Sequence, residues 1–284
     1  MKKLIVDIKD GYAAIAAGGD FEAHYFKIEF EEKDFIGEMG ETRALNSVGL
    51  FKLGDESSNQ LYQDADQIAL VLPMRFSLIK PISIDLPAIE TLGDEFLRWE
   101  AKQQLPDELG AFETGFYKLR KSFDNRSYKY MFYASSSDFV NVLAKFVSSD
   151  DSKKPTMESE AYGLYNAINL ASDGQGLGAA ISLEHDGAAV VVAHDGDFIS
   201  AKFIYGDSPA LGEEIMYFVI ANAPGDMQPN ILICGDLDHL DHLGSISWAN
   251  KLEASQAMGL GSGQSAVDPS IYIVAAGLNR TSEN

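Results

Sequence analysis

The densest group of potential metal ligands lies in one segment of the sequence, residues 234–242. Two histidines three residues apart, His239 and His242, stand among aspartates and follow Cys234. Imidazole nitrogens, thiolates and carboxylates are ligands that divalent metals take in proteins. All of these residues belong to one loop, no distant third ligand is indicated, and the alternating leucines indicate polar side chains that face solvent. We therefore predict that no metal binds here.

No group of residues has the pattern of a nucleophilic active site. Serines 135–137 precede Asp138 and are typical of a helix cap. A Gly-x-Ser-x-Gly elbow is absent, and the Gly-Ser-Gly at 261–263 is predicted to lie in a loop. The Asp-Gly pairs at 186–187 and 195–196 are typical of hairpin turns. The sequence therefore predicts no catalytic residue, and whether the protein is an enzyme stays open, with a non-enzyme favoured.

The charge balance bears on which partners the chain can bind. It has 43 Asp and Glu against 22 Lys and Arg, a formal charge of −21 over 284 residues. This excess argues against nucleic acid and against anionic lipid, which both need clustered basic residues. A basic peptide or protein tail is a better match. No targeting segment and no apolar run of about 20 residues is visible. We expect a cytoplasmic protein that reaches a membrane only through a partner.

The chain shows the same order of elements twice. The first half is predicted to contain strands at 4–8, 12–17, 25–30 and 68–72, a helix at 38–53 and a polar loop at 54–66. A helix is predicted at 158–170. The second half is then predicted to contain strands at 179–183, 188–193, 198–204, 230–234 and near 246–249, with helices at 212–223 and 272–280. A separate block joins strands at 76–86, 112–123 and 128–133 with helices at 88–105 and from 138 onward.

Three strands joined by hairpin turns, followed by a helix, a strand and a helix, thus occur in both halves. Two β-β-β-α-β-α units in one chain are the organisation of the actin-like ATPase superfamily, whose two halves face a nucleotide cleft. We predict an α/β protein with this ribonuclease H-like fold.

Several segments resemble PilM, an actin-like family of type IV pilus assembly proteins, over nearly the whole chain. The segments are 4–8 (Leu-Ile-Val-Asp-Ile), 68–73, 98–106 (Arg-Trp-Glu-Ala-Lys-Gln-Gln-Leu-Pro), 112–119, 160–164 (Glu-Ala-Tyr-Gly-Leu) and 274–278 (Val-Ala-Ala-Gly-Leu). The resemblance implies a first actin-like lobe at 1–75 plus 151–176. It also implies an inserted subdomain of the type shared by FtsA and PilM at 76–150, and a reduced second lobe at 177–284.

The resemblance implies a cytoplasmic platform rather than a membrane-spanning component. PilM-like proteins bind the short, basic, apolar N-terminal tail of an inner-membrane partner, PilN. The cytoplasmic region of the type II secretion protein GspL is similar. A net charge of −21 suits a basic tail, although many soluble proteins are acidic.

The resemblance also implies remnants of a nucleotide site, at Asp7, Gly11 and Gly235. In the first phosphate turn of such proteins an aspartate is followed by glycine and later by lysine. Here Asp7 is retained, but Lys9 stands where the glycine is expected and Ala14 where the lysine is expected. Glycine lets backbone N–H groups approach a phosphate and lysine neutralises its charge, so both replacements weaken this turn.

The second turn and the adenosine motif depart further. Ser182 replaces the expected aspartate and Glu184 the glycine, while Gly235 is one of two glycines expected after a strand. A carboxylate about 5 Å from a phosphate costs about 3 kcal/mol at an effective dielectric near 20. Glu184 and Asp236 are expected there and would lower ATP affinity by several powers of ten, unless a bound Mg²⁺ inverts the sign for one of them.

The second half also lacks the subdomain that PilM and FtsA insert between strands 198–204 and 230–234. Only one helix is predicted there, and the missing wall of the adenine pocket is expected to leave the cleft open. We expect no cofactor; the alternative is ATP with magnesium.

Four residues are candidates for binding the partner's tail. Trp99 on the helix at 88–105 is most simply a core residue, but with Phe76 and Leu105 it is a candidate for lining a groove. Glu95 is a rim candidate for the tail's basic residues.

The function that we predict is a non-enzymatic scaffold of a type IV pilus or type II secretion-like assembly, which binds the tail of a PilN-like protein. The alternatives are an active ATPase with drifted motifs and an actin-like sugar or metabolite kinase. The kinase is disfavoured because no catalytic aspartate is identifiable at the second phosphate turn.

Overall fold

The computed structural model describes most of the chain, and all structural statements refer to that part. The described residues are 2–9, 11–18, 24–30, 49–85, 87–88, 90, 93–105, 111–121, 126–148, 153–206, 210–225, 227–243, 249–255 and 269–280.

The first sheet has five strands in the order β3-β2-β1-β4-β8. The strands are β1 Lys3–Lys9, β2 Tyr12–Gly18, β3 His24–Glu29, β4 Gln67–Leu72 and β8 Thr156–Ser159. β1, β2 and β3 are joined as antiparallel hairpins, and β1 pairs in parallel with β4, which pairs in parallel with β8. β1 and β4 are buried over most of their length because both faces of the sheet are covered, and their residues are mostly apolar.

The second sheet repeats this order as β11-β10-β9-β12-β13. Its strands are β9 Leu177–Glu184, β10 Gly187–His194, β11 Asp197–Tyr205, β12 Asn230–Gly235 and β13 Asn250–Leu252. The first three form antiparallel hairpins, and β12 lies parallel to β9 and β13. The predicted repeat of strand order is therefore confirmed. Residues 246–248 of the predicted last strand lie outside the described part, and β13 follows them.

Two helices pack against each other between the sheets. α5 (Glu160–Ala171) contacts β9 and β10, and α7 (Ile273–Arg280) contacts β1 and β2. They approach closely where Gly163 faces Gly277, since a Cβ atom on either glycine would overlap the other helix's backbone. One hydrophobic core consequently includes residues of both sheets and both helices.

The predicted insertion forms a third sheet with the order β5-β7-β6. It consists of β5 Ser77–Asp85, β6 Phe112–Lys121 and β7 Ser127–Ser136. α3 (Asp94–Gln104) covers the face that carries Phe132, and α4 (Ser137–Val147) packs between the sheet's other face and the first lobe. The boundaries of the lobes at 75, 150 and 176 stay predictions.

The connection between β11 and β12 in the second lobe contains α6 (Ala210–Ala221). This is the one helix in the described residues between β11 and β12, where residues 207–209 and 226 are not described. α6 places Leu211, Ile215 and Val219 in the core of the second sheet.

Two predictions of local structure are wrong. The polar loop predicted at 54–66 contains α2 (Glu56–Asp64), because the Asp55 side chain accepts hydrogen bonds from the Ser58 backbone and hydroxyl, which caps the helix. Its one large buried side chain, Tyr62, stacks on Phe51. The predicted helix at 158–170 begins two residues later, since Thr156–Ser159 pairs with β4 as β8.

Three other predictions change in detail. The helix predicted at 38–53 is described only as the short α1 (Leu50–Leu53), and residues 38–48 lie outside the described part. The helix predicted at 88–105 has its regular part from Asp94, since Gly93 takes a φ of 53°. The serine cap at 135–137 is not formed by a side chain: Ser136 occupies the cap position without a capping hydrogen bond, and Ser135 Oγ donates to the Phe76 carbonyl.

Candidate functional site

Charged side chains from three elements meet where the hairpins of the two lobes face each other. Asp7 and Lys9 lie two residues apart on β1 and point to the same side of the first sheet. Glu160 is the first residue of α5, and Glu184 is the last residue of β9. All four side chains are at least nine-tenths buried. We call these four residues the inter-lobe cluster.

Lys9 is the centre of this cluster. Its ammonium donates to Glu160 Oε1 in a very short contact and to Glu184 Oε1 at 3.2 Å. Asp7 Oδ1 lies 3.7 Å from Lys9 Nζ, within ion-pair range but beyond a hydrogen bond. One buried cation is thus surrounded by three buried carboxylates that come from both lobes.

A second cation and a backbone amide also contact the two glutamates. Arg75, in the 3₁₀ turn Met74–Phe76 that follows β4, has its Nη1 3.5 Å from Glu184 Oε2 and 3.2 Å from Asp186 Oδ1. The Met74 N–H donates to Glu160 Oε2 at 2.7 Å. The first lobe therefore contacts the turn between β9 and β10 through both Lys9 and Arg75.

The burial of these groups changes their protonation. Burial raises the pKa of Asp7 to about 7, and the nearby Glu160 and Glu184 oppose its ionisation while Lys9 favours it. Burial by itself would lower the pKa of the Lys9 ammonium, but the three carboxylates hold that pKa well above its usual value. Lys9 is therefore charged near pH 7, and Asp7 is the group that gains or loses a proton there.

The two predicted glycines have structural roles at the same cleft. Gly11, in the turn between β1 and β2, takes a φ of 79°, and its carbonyl accepts a hydrogen bond from the Phe30 amide. Gly235 ends β12 with a φ of 84°, and a Cβ atom there would overlap the Leu183 carbonyl oxygen. Both positions keep a backbone that favours glycine, whether or not a nucleotide binds.

The described residues of the site include neither an ionised thiol nor a metal-binding cluster. Cys234 is buried, and burial raises the pKa of its thiol to about 12, so the sulfur stays protonated. Within the described residues no cluster of three His, Cys, Asp or Glu side chains has the geometry of a metal site. The side chains of His239, Asp241 and His242 lie outside the described part.

Sequence reasoning singled out part of this cluster and missed the rest. Asp7 and Glu184, which the sequence was expected to place beside a phosphate, belong to the cluster, where Glu184 is paired with Lys9 and Arg75. Their role in a nucleotide site and the open adenine pocket between β11 and β12 stay predictions. Glu160 and Arg75 were missed, because a glutamate that starts a helix and an arginine that follows a strand are common in any sequence.

The four predicted partner-binding residues do not form one groove. Leu105 is buried against the third sheet with Ala101, and Phe76 packs on Phe139 of α4 with ring centroids 4.5 Å apart. Trp99 is 53% exposed on α3, so the reading of it as a core residue is wrong. Glu95, four residues before it, is exposed as well, and this spacing places both on one face of the helix.

Comparison with known proteins defines the fold. No protein-family model and no curated protein sequence matches the chain. Among solved structures, it is similar to a chain of a PilM–PilN type IV pilus biogenesis complex, with a TM-score of 0.64, 11% identity and coverage of 100% of this chain and 99% of that one. It is also similar to a Bacteroides thetaiotaomicron protein with an actin-like ATPase fold and unknown function, with a TM-score of 0.56, 9% identity and coverage of 98% and 95%.

A third structure with lower similarity is the cytoplasmic domain of EpsL, an inner-membrane component of the type II secretion system of Vibrio cholerae. Its TM-score is 0.49, with 10% identity over 100% of this chain and 96% of that one.

The repeated strand order, the paired central helices and the first two similarities show that this chain has the actin-like ATPase fold. None of the helices in the described ranges has the length and apolar content that crossing a bilayer requires.

Proposed function

We propose that this protein is a non-enzymatic scaffold of a type IV pilus or type II secretion-like assembly, which works in the cytoplasm and binds the tail of a PilN-like inner-membrane protein. The inter-lobe cluster is the observation that supports the non-enzymatic part of this proposal. A buried lysine with three carboxylates stands between the two turns that hold phosphates in an actin-like ATPase.

Charge explains why this cluster disfavours ATP. Asp7, Glu160 and Glu184 are neutralised by Lys9 and Arg75 inside the protein, so a triphosphate would have to displace contacts that are already formed. Separating a buried ion pair leaves charges without partners and costs several kcal/mol. The same contacts hold the two lobes together at the place where a nucleotide would separate them.

The assembly role is supported by the similarity to the PilM–PilN complex over the full length of both chains, together with the order of the PilM-like segments. Two of these segments contain Gly163 and Gly277 and pack on each other between the sheets. For the tail we propose the outer face of α3, where Trp99 and Phe96 have ring centroids 5.3 Å apart and Glu95 lies alongside. An apolar, basic tail fits an aromatic pair with a neighbouring carboxylate.

Thermal unfolding with and without Mg²⁺-ATP tests the first half of the proposal. A ligand at 100 times its dissociation constant adds about 2.7 kcal/mol, which shifts the melting temperature of a chain of this size by several degrees. We expect no shift at millimolar Mg²⁺-ATP. A shift that titrates with micromolar affinity would instead support the ATP-binding alternative.

A tail peptide tests the second half. The proposal expects a neighbouring gene for a PilN-like protein with a basic, apolar N-terminus. The probe is a synthetic peptide of that N-terminus, titrated while Trp99 fluorescence is recorded in a Trp248→Phe background. We expect a saturable change, and Glu95→Lys should weaken binding by several-fold while Glu56→Lys, an exposed glutamate on α2, should not. Equal losses in both variants would contradict the α3 surface.

A further inference from the structure

Most of the exposed apolar surface of the described residues is concentrated in one part of the second lobe. The described part of the chain exposes eight large apolar side chains, and five of them lie between residues 217 and 240. The five are Tyr217, Ile220, Met227, Leu237 and Leu240. The side chain of Tyr217 is 68% exposed and that of Ile220 is 51% exposed, and a group of large apolar side chains exposed in this way is typical of an interaction surface.

Four of these residues lie on two elements that pack on each other. Glu213, Tyr217 and Ile220 are spaced four and three residues apart on α6 and therefore lie in one row, opposite the row that packs on the second sheet. The 3₁₀ turn Leu237–Leu243 packs directly on the start of α6, because a Cβ atom on Gly212 would overlap the Leu243 carbonyl. We call the row on α6 with the exposed leucines of this turn the α6 face.

The stretch of sequence that contains the α6 face carries charge of one sign. From residue 203 to residue 250 the sequence has seven Asp and Glu and neither lysine nor arginine. Glu213 and Glu214 are both exposed on α6, and within the described part of the chain neither forms an ion pair. Exposed apolar side chains and carboxylates in a stretch without lysine or arginine match a partner that supplies both apolar area and positive charge.

We propose that the α6 face binds a basic amphipathic helix of another protein, at a surface distinct from the α3 face assigned to the tail. A row of side chains at i, i+4 and i+7 offers the ridge on which a second helix packs. A second copy of this chain fits poorly, since it would place one acidic face against another, and an anionic membrane is repelled for the same reason.

The test uses the full-length protein and a fluorescein-labelled Leu/Lys peptide of about five helical turns as the probe. A Leu/Glu peptide of the same pattern is the control ligand, and anisotropy is the measurement. We expect saturable binding of the Leu/Lys peptide and none of the Leu/Glu peptide. Equal binding of both peptides would overturn the proposal.

Matched variants separate the α6 face from the general attraction of an acidic protein for a basic peptide. Glu213→Lys/Glu214→Lys should weaken binding at least about tenfold, while Glu56→Lys/Glu90→Lys, which changes the net charge equally, should stay within about twofold. Ile220→Ser should lower the affinity for the Leu/Lys peptide several-fold. Leu53→Ser, which changes an exposed leucine of the first lobe, should leave that affinity unchanged. Thermal unfolding verifies that every variant is folded.

Two further results would overturn the proposal. One is an equal loss of affinity in the two charge-reversed variants, which would mean that only net charge matters. The other is a dimer of the wild-type protein in light scattering that Ile220→Ser converts to a monomer, which would mean that a second copy covers the face. The same titrations are repeated in a Trp99→Ala background, which removes the tail site on α3, and the differences between the α6 variants should persist there.

Discussion

The inter-lobe cluster and the α6 face are both rich in carboxylates, but only the cluster contains cations. Asp7, Glu160 and Glu184 surround Lys9 and are buried, so their charge is compensated within the chain. Glu213 and Glu214 stand beside exposed apolar side chains in a stretch that has no lysine or arginine. The buried carboxylates therefore contribute to the protein's own structure, whereas the exposed ones are accessible to the partner proposed for the α6 face.

The strongest test of this comparison is to remove the cation of the cluster. Lys9→Met keeps most of the side chain's volume but leaves three buried carboxylates without it, and we expect the free energy of unfolding in urea to fall by about 3–5 kcal/mol. The control is Lys52→Met, an exposed lysine, which should change it by less than about 0.5 kcal/mol. A loss below about 1 kcal/mol for Lys9→Met would mean that the cluster is not a compensated unit.

The second prediction concerns pH. Asp7 has a pKa of about 7 in the folded protein against 3.8 for the model group, so the folded state binds the extra proton between these values and stability falls as pH rises from about 4 to about 7. Asp7→Asn cannot ionise and should not show this loss. The free energy of unfolding of the variant, relative to that of the wild type, should therefore increase by a few kcal/mol as the pH rises from about 4 to about 7. The readout is urea unfolding at several pH values.

Asp64→Asn, which removes one exposed carboxylate, is the matched control for Asp7→Asn. A difference between Asp7→Asn and wild type that stays constant from pH 4 to pH 8 would contradict the assignment of the titration to Asp7.

A smaller effect is expected where the α6 face is assembled. Gly212→Ala places a methyl group against the Leu243 carbonyl, so either α6 or the 3₁₀ turn must shift. We expect a loss of about 1–3 kcal/mol and weaker binding of the Leu/Lys peptide. Ala221→Gly, at the exposed last residue of α6, should cost less than about 1 kcal/mol, since glycine is tolerated at a helix end, and should leave the peptide affinity intact. Unchanged peptide affinity in Gly212→Ala would separate the turn from the face.

The smallest effect sharpens the contrast with Lys9. Because Glu213 and Glu214 are exposed, Glu213→Lys/Glu214→Lys should change the free energy of unfolding by less than about 0.5 kcal/mol even though it changes peptide affinity. Urea unfolding of this double variant beside Lys9→Met gives the comparison directly. A loss of several kcal/mol would show that these carboxylates stabilise the fold and do not serve a partner.

The fold was predictable because it depends on local patterns that occur twice. The hairpins β1-β2 and β9-β10-β11 combine apolar runs with Gly or Asp-Gly turns, and these signals are short-range. β8 was missed because four residues beside an established helix carry too weak a pattern. Trp99 was placed in the core because its size dominated the apolar stripe, whereas Ala101 and Leu105 are the residues that α3 buries.

The inter-lobe cluster was not predictable in full from the sequence. In the sequence, Lys9 lies 151 residues before Glu160 and 175 residues before Glu184. Only the packing of the two sheets on α5 and α7 brings these residues together. The departure at Lys9 was visible as a missing glycine, but its positive role as the central cation depends on partners elsewhere in the chain. The exposure of the α6 face likewise depends on which row of the helix packs inward.

The close crossing of Gly163 and Gly277 has a consequence for how this protein can respond to its partners. Because one hydrophobic core includes this helix pair and residues of both sheets, a movement of one lobe against the other would have to break packed contacts. Partners bound at α3, on the inserted sheet, and at α6, in the second lobe, would then be held at a fixed distance from each other. A scaffold of this kind would need no cycle of opening and closing.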